Sequence, residues 1–157
     1  MSAIPEINVP VLEEARIPVG VVEKLRELYN ILRKGRRFYE GLAWKLHDKQ
    51  LQQSFFGIAQ ECSQYAAEIF SQLYCMGEHG GNAETESVDD KMLEAKETVE
   101  ESISDAYELC EKEVLPAYRN LREEPVLIDE LQEMMAYQMK GFLFYIEQLK
   151  LLRTSFG

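Results

Sequence analysis

Apolar residues recur along most of this chain at intervals of three, four and seven, a spacing that places side chains on one face of an α-helix. The first such stripe consists of Val22, Leu25, Tyr29, Leu32, Tyr39, Ala43 and Leu46. It follows Pro18, a residue type well suited to the first turn of a helix. The pattern therefore predicts a first helix that begins at Pro18.

A second stripe follows after only two interrupting residues, His47 and Asp48. Its members are Leu51, Phe55, Ile58, Cys62, Tyr65, Ile69, Leu73 and Met76. Aspartate commonly caps the start of a helix and glycine its end, so Asp48 and Gly77 are expected to bound the second helix. A connection this short predicts that the first two helices pack antiparallel.

The stretch from Gly77 to Asp90 is rich in glycine and acidic residues, which predicts a long loop. A third helix is expected from about Asp90, and Pro116 should kink it because proline removes a backbone hydrogen bond. One side of this helix comprises Met92, Lys96, Val99, Ile103, Ala106, Cys110, Ala117 and Leu121, which are apolar except for Lys96. Pro125 is expected to open a fourth helix. The stripe of that helix comprises Ile128, Leu131, Met135, Gln138, Phe142, Tyr145, Leu149 and Leu152.

The four stripes predict an all-α protein, a four-helix bundle formed by residues 18–157. Pro5 and Pro10 interrupt any helical spacing before it, so residues 1–17 are expected to form an extended arm. A chain of 157 residues can bury one core without disulfides or metals.

The charge balance bears on possible partners. Seventeen basic and 28 acidic residues give a net charge of −11, which repels the phosphate backbone of nucleic acids. No apolar run approaches the roughly 20 residues that span a bilayer, and no secretory signal is present. Cys62, Cys75 and Cys110 are odd in number and lack metal-like spacing. We therefore expect no nucleic acid or membrane partner, reduced thiols and a cytoplasmic location.

The segment GRRFYEGLAWKLHDKQLQQSFFGIAQECSQYAAEIFSQL resembles the first hairpin of a bacterial family of small ferritin-like proteins whose function is not characterised. The matching positions are Glu61, Gln64, Tyr65, Ala66, Ala67 and Glu68 in the second helix, and Glu108, Glu111, Ala117, Tyr118 and Arg119 in the third. The resemblance implies the ferritin-like fold, in which a crossover joins the second and third helices. A simple up-down-up-down bundle is the alternative.

The resemblance also implies where a metal site would lie, because ferritin-like proteins bind two metal ions through carboxylates and paired Glu-x-x-His motifs. This sequence contains no Glu-x-x-His, and the corresponding position in the second helix holds Glu61 and Gln64. Arg36 and Arg37 stand where the family has an acidic pair, and arginine cannot ligate a metal. We therefore predict a degenerate site without metal or other cofactor.

The helical phase set by Leu32 and Tyr39 directs Arg36 towards the core, one turn before Glu40. A buried guanidinium requires carboxylate partners, so we predict an internal charge network at the ferritin-like site position. Its expected members are Arg36, Glu40, Glu61, Gln64, Glu111 and Gln138. Two alternatives remain. The basic run that contains Arg36 could be a solvated helix face, and the glutamates could be outer-face charges.

No arrangement of residues in the sequence specifies a catalytic reaction, so we predict no catalytic residues and a structural or protein-interaction module. The alternative is an iron- or manganese-binding protein or oxidase with ligands from Glu40, Glu61 and Glu111. The fourth helix also carries more apolar residues than one bundle face needs. We expect a homodimer through this surplus, or its coverage by the N-terminal arm. The surplus residues are Met139, Leu143, Phe144 and Ile146.

Overall fold

Helices form all the regular secondary structure in residues 19–77 and 98–156, which are the residues that the computed structural model describes. These helices are α1 (Val19–Lys45), α2 (Lys49–Cys75), α3 (Val99–Leu109), a π-helical turn (Cys110–Val114), α4 (Leu115–Arg122) and α5 (Asp129–Phe156). The predicted all-α fold is confirmed. The predicted N-terminal arm, the glycine-rich loop and the expected start of the third helix near Asp90 lie outside the described residues.

The second helix of the hairpin formed by α1 and α2 has the predicted boundaries, whereas the predicted start of the first helix at Pro18 lies outside the described residues. Asp48 caps α2, because its side chain accepts a hydrogen bond of 2.8 Å from the backbone N–H of Leu51. Gly77, just beyond α2, has a backbone φ of +90°, a conformation that glycine adopts without strain. None of the helices in the described part of the chain is both long and apolar enough to cross a membrane.

The third rod of the bundle is α3, the π-helical turn and α4 together. It begins with a capping box formed by Thr98 and Glu101. The backbone N–H of Glu101 donates a hydrogen bond to the Thr98 hydroxyl, and the backbone N–H of Thr98 donates one to the Glu101 carboxylate. Pro116 does interrupt the regular helix, as predicted. The interruption takes the form of the π-helical turn, where the N–H of Leu115 reaches the carbonyl of Cys110 five residues earlier. This wider turn accommodates the missing N–H and the bulk of the proline ring.

The fourth helix begins later than predicted. Pro125 lies in the turn after α4, and α5 starts at Asp129, where two acidic residues interact favourably with the helix dipole. The buried face of α5 consists of Leu131, Met135, Gln138, Phe142, Ile146 and Leu149. Ile146, which we expected on the surplus outer face, is therefore a core residue. The prediction was wrong by one position here. The next core residue after Phe142 is Ile146, four residues later, whereas we expected Tyr145, three residues later.

The directions of the rods follow from their contacts. The Lys24 ammonium, near the start of α1, lies 2.6 Å from the Glu124 carboxylate just after α4, and the Tyr39 hydroxyl bonds to the Ala106 carbonyl of α3. The third rod therefore runs antiparallel to α1. On the other side, α5 is antiparallel to α2, since Gln138 bonds to Glu68 near the end of α2.

These directions define the topology of the bundle. Each of α1 and α5 packs against α2 and the third rod, so α1 and α5 occupy one diagonal. Because α2 and the third rod are both antiparallel to α1, they run parallel to each other. Gly77 and Thr98 therefore lie at opposite ends of the bundle, and the connection between them is end to end. The order is up-down-down-up, which overturns the simple up-down-up-down alternative.

Candidate functional site

A buried amide lies where α2, α4 and α5 meet. Gln138 of α5 is fully buried, and its Oε1 accepts a hydrogen bond of 2.8 Å from the Tyr118 hydroxyl of α4. Its Nε2 donates to Glu68 Oε1 at 2.9 Å and to the backbone oxygen of Tyr65 at 3.4 Å. Both amide protons and the amide oxygen are thus satisfied. This matters because an unpaired polar group in the core costs roughly 1–3 kcal/mol.

The carboxylate of Glu68 connects this buried hydrogen-bond network to the surface of α2. Its Oε1 accepts from buried Gln138, whereas its Oε2 accepts a bond of 3.2 Å from the exposed Gln64 side chain one turn earlier. The side chain is half-buried, so its charge keeps access to water. Glu68 thus orients the core amide while its other oxygen accepts a bond at the surface.

A second polar contact lies one turn along the same interface. Tyr65 is 1% exposed, and its hydroxyl is hydrogen-bonded to Glu61 on the same helix. Gly141 of α5 faces this hydroxyl, and a Cβ at position 141 would collide with the Tyr65 oxygen. The absence of a side chain at Gly141 is what admits the Tyr65 hydroxyl. We call Glu61, Tyr65, Glu68, Tyr118 and Gln138 the tyrosine–glutamine cluster.

Burial shifts the ionisation of both tyrosines in this cluster. Desolvation raises the pKa of Tyr118 well above its usual value of 10.0, and nearby Cys62, Tyr65 and Glu68 add to the shift. Desolvation also raises the pKa of Tyr65, with further contributions from its hydrogen bond to Glu61 and from the charge of that carboxylate. Both phenols therefore remain protonated at neutral pH and serve as hydrogen-bond donors.

A third tyrosine and two thiols occupy the α1 side of the core. The Tyr39 hydroxyl donates a bond of 2.9 Å to the Ala106 carbonyl, and burial raises the pKa of Tyr39 well above its ordinary value. Cys62 and Cys110 are buried free cysteines. Burial raises the pKa of Cys110 to about 12 and raises that of Cys62 further. Both thiols are protonated at neutral pH, and so are poor nucleophiles.

The structure places the predicted site residues in three different environments. Gln138 is at the centre of the cluster, Glu61 belongs to it through its hydrogen bond to Tyr65, and Gln64 lies at its exposed edge. Glu111 is exposed on the π-helical turn. Arg36 is half-exposed, and its guanidinium lies 4.0 Å from the carboxylate of Glu40 on the same helix.

The internal network with Arg36 and Glu111 as members is therefore wrong. The error lies in the helical phase. The inward position between Leu32 and Tyr39 is Gly35, which is buried against the sulfur of Cys62, while Arg36 points 100° further round the helix. A glycine adds nothing to an apolar stripe, so the sequence pattern overlooked it.

Three members of the cluster were absent from the predicted network, namely Tyr65, Glu68 and Tyr118, and so was Gly141, which faces the Tyr65 hydroxyl. One signal was available, because a glycine inside a long helix is unfavourable unless close packing requires it, and Gly141 follows Gln138 by one turn. Among residues 19–77 and 98–156, no three His, Cys, Asp or Glu side chains are grouped to hold a metal ion. The alternative ligand set of Glu40, Glu61 and Glu111 is thus not assembled.

Comparison of the chain with known proteins found no matching family model, no matching curated protein and no matching solved structure.

The contact between Tyr65 and Gly141 can be tested by a double-mutant cycle. We expect Gly141→Ala to lower the free energy of unfolding by roughly 1–3 kcal/mol, because the new methyl group displaces the Tyr65 hydroxyl from Glu61. In a Tyr65→Phe background the oxygen is absent, and the same change should cost less by about 1 kcal/mol or more. Urea denaturation of the four proteins measures both terms. Equal costs in the two backgrounds would contradict the proposed contact.

The raised pKa values predict a loss of stability in alkali. Tyrosines and cysteines of the unfolded chain lose protons above about pH 9 to 10, whereas Tyr39, Tyr65, Tyr118, Cys62 and Cys110 keep theirs while folded. The folded state then binds more protons than the unfolded state. The stability that these groups contribute is therefore fully present at about pH 8 and below, and it falls as the pH rises through the pKa values of the unfolded chain. Urea denaturation from about pH 8 to about pH 11 should show this fall, with a shallower slope for Tyr118→Phe. A flat profile would refute the assignment.

Proposed function

We propose that this chain is a ferritin-like four-helix bundle that acts as a non-catalytic structural or protein-interaction module and forms a homodimer. The topology supports the ferritin-like part of the proposal. Ferritin-like bundles have a single long crossover, and here the end-to-end connection joins α2 to the third rod.

The tyrosine–glutamine cluster supports the non-catalytic part. It lies on α2, α4 and α5 at the centre of the bundle, where a ferritin-like protein would hold its metal ions. Its polar atoms bond to one another, with Tyr118 and Glu68 on either side of the Gln138 amide. Such an arrangement joins three helices in one register. We propose that it replaces a metal site with a purely structural one.

The observation that carries the interaction role is an apolar stripe on the outer face of α5. Tyr137, Phe144 and Leu151 are spaced by seven residues and are 58%, 59% and 65% exposed. The stripe differs from the surface expected from the sequence, since Ile146 is buried and Met139 is partly buried. Leu143, at 38% exposure, borders it. Three aligned large apolar side chains favour a protein contact.

The symmetry of the stripe favours a second copy of the chain as its partner. If two α5 helices pair antiparallel about a twofold axis at Phe144, the Phe144 rings of the two copies contact each other. Tyr137 of each copy then contacts the partner's Leu151. Lys140 and Glu147 flank Phe144 and would bring opposite charges of the two copies near each other. The net charge of −11 opposes association at long range, but physiological salt screens it beyond about 8 Å.

The dimer can be tested by reversing the character of its centre. We expect the unchanged protein to scatter light as a dimer at micromolar concentration and Phe144→Glu to scatter as a monomer with unchanged helical content. Burying a carboxylate at a twofold axis would place two like charges together without water. Trp44→Glu is the matched control, because Trp44 is 71% exposed but lies on α1. This variant should remain dimeric.

A monomeric unchanged protein would refute the dimer. If residues 1–17 were then protected from proteolysis in that protein and released by Phe144→Glu, the N-terminal arm would be the occupant of the stripe instead.

The proposed structural role of the cluster predicts weak metal binding. After incubation with ferrous iron or manganese and gel filtration, we expect less than one metal ion per chain, because Glu61 and Glu68 already accept hydrogen bonds from their neighbours. Elemental analysis measures the ratio. A stoichiometric metal content that disappears in Glu68→Gln would establish the iron- or manganese-binding alternative.

A further inference from the structure

The outer surface between α1 and α2 contains a cavity of about 470 Å³ that carries three arginines. Arg33, Arg36 and Arg37 of α1 form one wall of this arginine groove, and the small side chains of Ala66 and Ala67 of α2 lie opposite. The three arginines are spaced by three and four residues, so they share one face of α1. The small residues opposite leave space that longer side chains would fill.

The charge of the arginine groove is opposite to that of the whole protein. Among the described residues, those that line the groove include no aspartate or glutamate. Two other clefts formed by described residues differ, since the one beside Pro116 combines Lys112 with Glu113, and the one beside Phe38 combines Lys34 with Asp105. A local positive site in a chain of net charge −11 indicates selective attraction of an anion.

One end of the groove is aromatic. The rings of Tyr29 and Phe70 lie 5.9 Å apart, and Phe70 is 40% exposed. The Arg33 guanidinium lies 5.5 Å from the centre of the Tyr29 ring and donates a bond of 3.2 Å to its hydroxyl. These contacts fix the position of Arg33 beside a flat apolar surface.

Arg36 is only weakly engaged by the protein. Arg36 is half-exposed, and its distance of 4.0 Å to Glu40 is long for a charge-assisted hydrogen bond. Its planar guanidinium can therefore offer two parallel N–H donors to an oxyanion.

We propose that the arginine groove binds a small organic phosphate with a flat apolar body. The Arg36 guanidinium, with Arg33 beside it, holds the phosphate oxygens, and the flat part lies against Tyr29 and Phe70. The cavity volume is in the range of small-molecule sites. This site is on α1 and α2, so it is independent of the proposed self-association through α5.

The test is isothermal titration of the full chain with phenyl phosphate, inorganic phosphate and phenol. We expect phenyl phosphate to bind more tightly than either of its two parts. Arg36→Glu should weaken phenyl phosphate binding about tenfold or more, because a charge-assisted hydrogen bond is replaced by repulsion. Arg122→Glu is the matched control, since it changes the net charge equally on an exposed part of α4. Its affinity should remain close to that of the unchanged protein.

Three results would overturn the proposal. Undetectable binding of phenyl phosphate by the unchanged protein would show that the groove takes no such ligand. Equal weakening by Arg36→Glu and Arg122→Glu would show that the overall charge, and not the groove, determines binding. Equal affinity for inorganic phosphate and phenyl phosphate would remove the role of the aromatic wall.

Discussion

The hydrogen bonds of the buried Gln138 amide fix the relative positions of three helices. An apolar core of leucines and aromatic residues tolerates small rotations of its helices, whereas a buried amide must keep its partners or lose roughly 1–3 kcal/mol for each unpaired group. Gln138 can satisfy its atoms only when Tyr118 of α4 and Glu68 of α2 both face it. The register of α5 against both neighbours is thus set by polar geometry as well as by packing.

The close approaches around this amide depend on residues without bulk. Gly141 admits the Tyr65 hydroxyl between α2 and α5, and Gly35 lets Cys62 approach α1. In the third rod, the π-helical turn accommodates Pro116 without ending the helix. The packing of the core therefore depends on two glycines that lack a side chain, Gly35 and Gly141, and on the accommodation of Pro116, which lacks a backbone N–H.

The sequence pattern was sufficient for the parts of the fold that repeat. Spacings of three and four identified α1 and α2, and the Asp48 cap followed from residue type alone. The pattern could not give the site, because a site depends on helical phase to within a fraction of a turn. Because Gly35 was not counted as a core position, Arg36 was predicted to face the core. In the fourth helix, an error of one residue assigned Tyr145 to the core and Ile146 to the surface. Tyr118 remained unassigned, since its partner Gln138 is 20 residues away on another helix.

The end-to-end connection has a consequence for the order in which the molecule assembles. The bond between Tyr118 and Gln138 closes a loop of 20 residues inside one hairpin, whereas the bond between Glu68 and Gln138 joins residues 70 apart. Loop-closure entropy rises with separation, so the local contact forms at lower entropic cost. We infer that the two hairpins form separately and that Glu68 engages Gln138 only when they dock. In hydrogen exchange measured during refolding, amides within each hairpin should then become protected before amides at the contact between the two hairpins. Simultaneous protection would argue for a single concerted step.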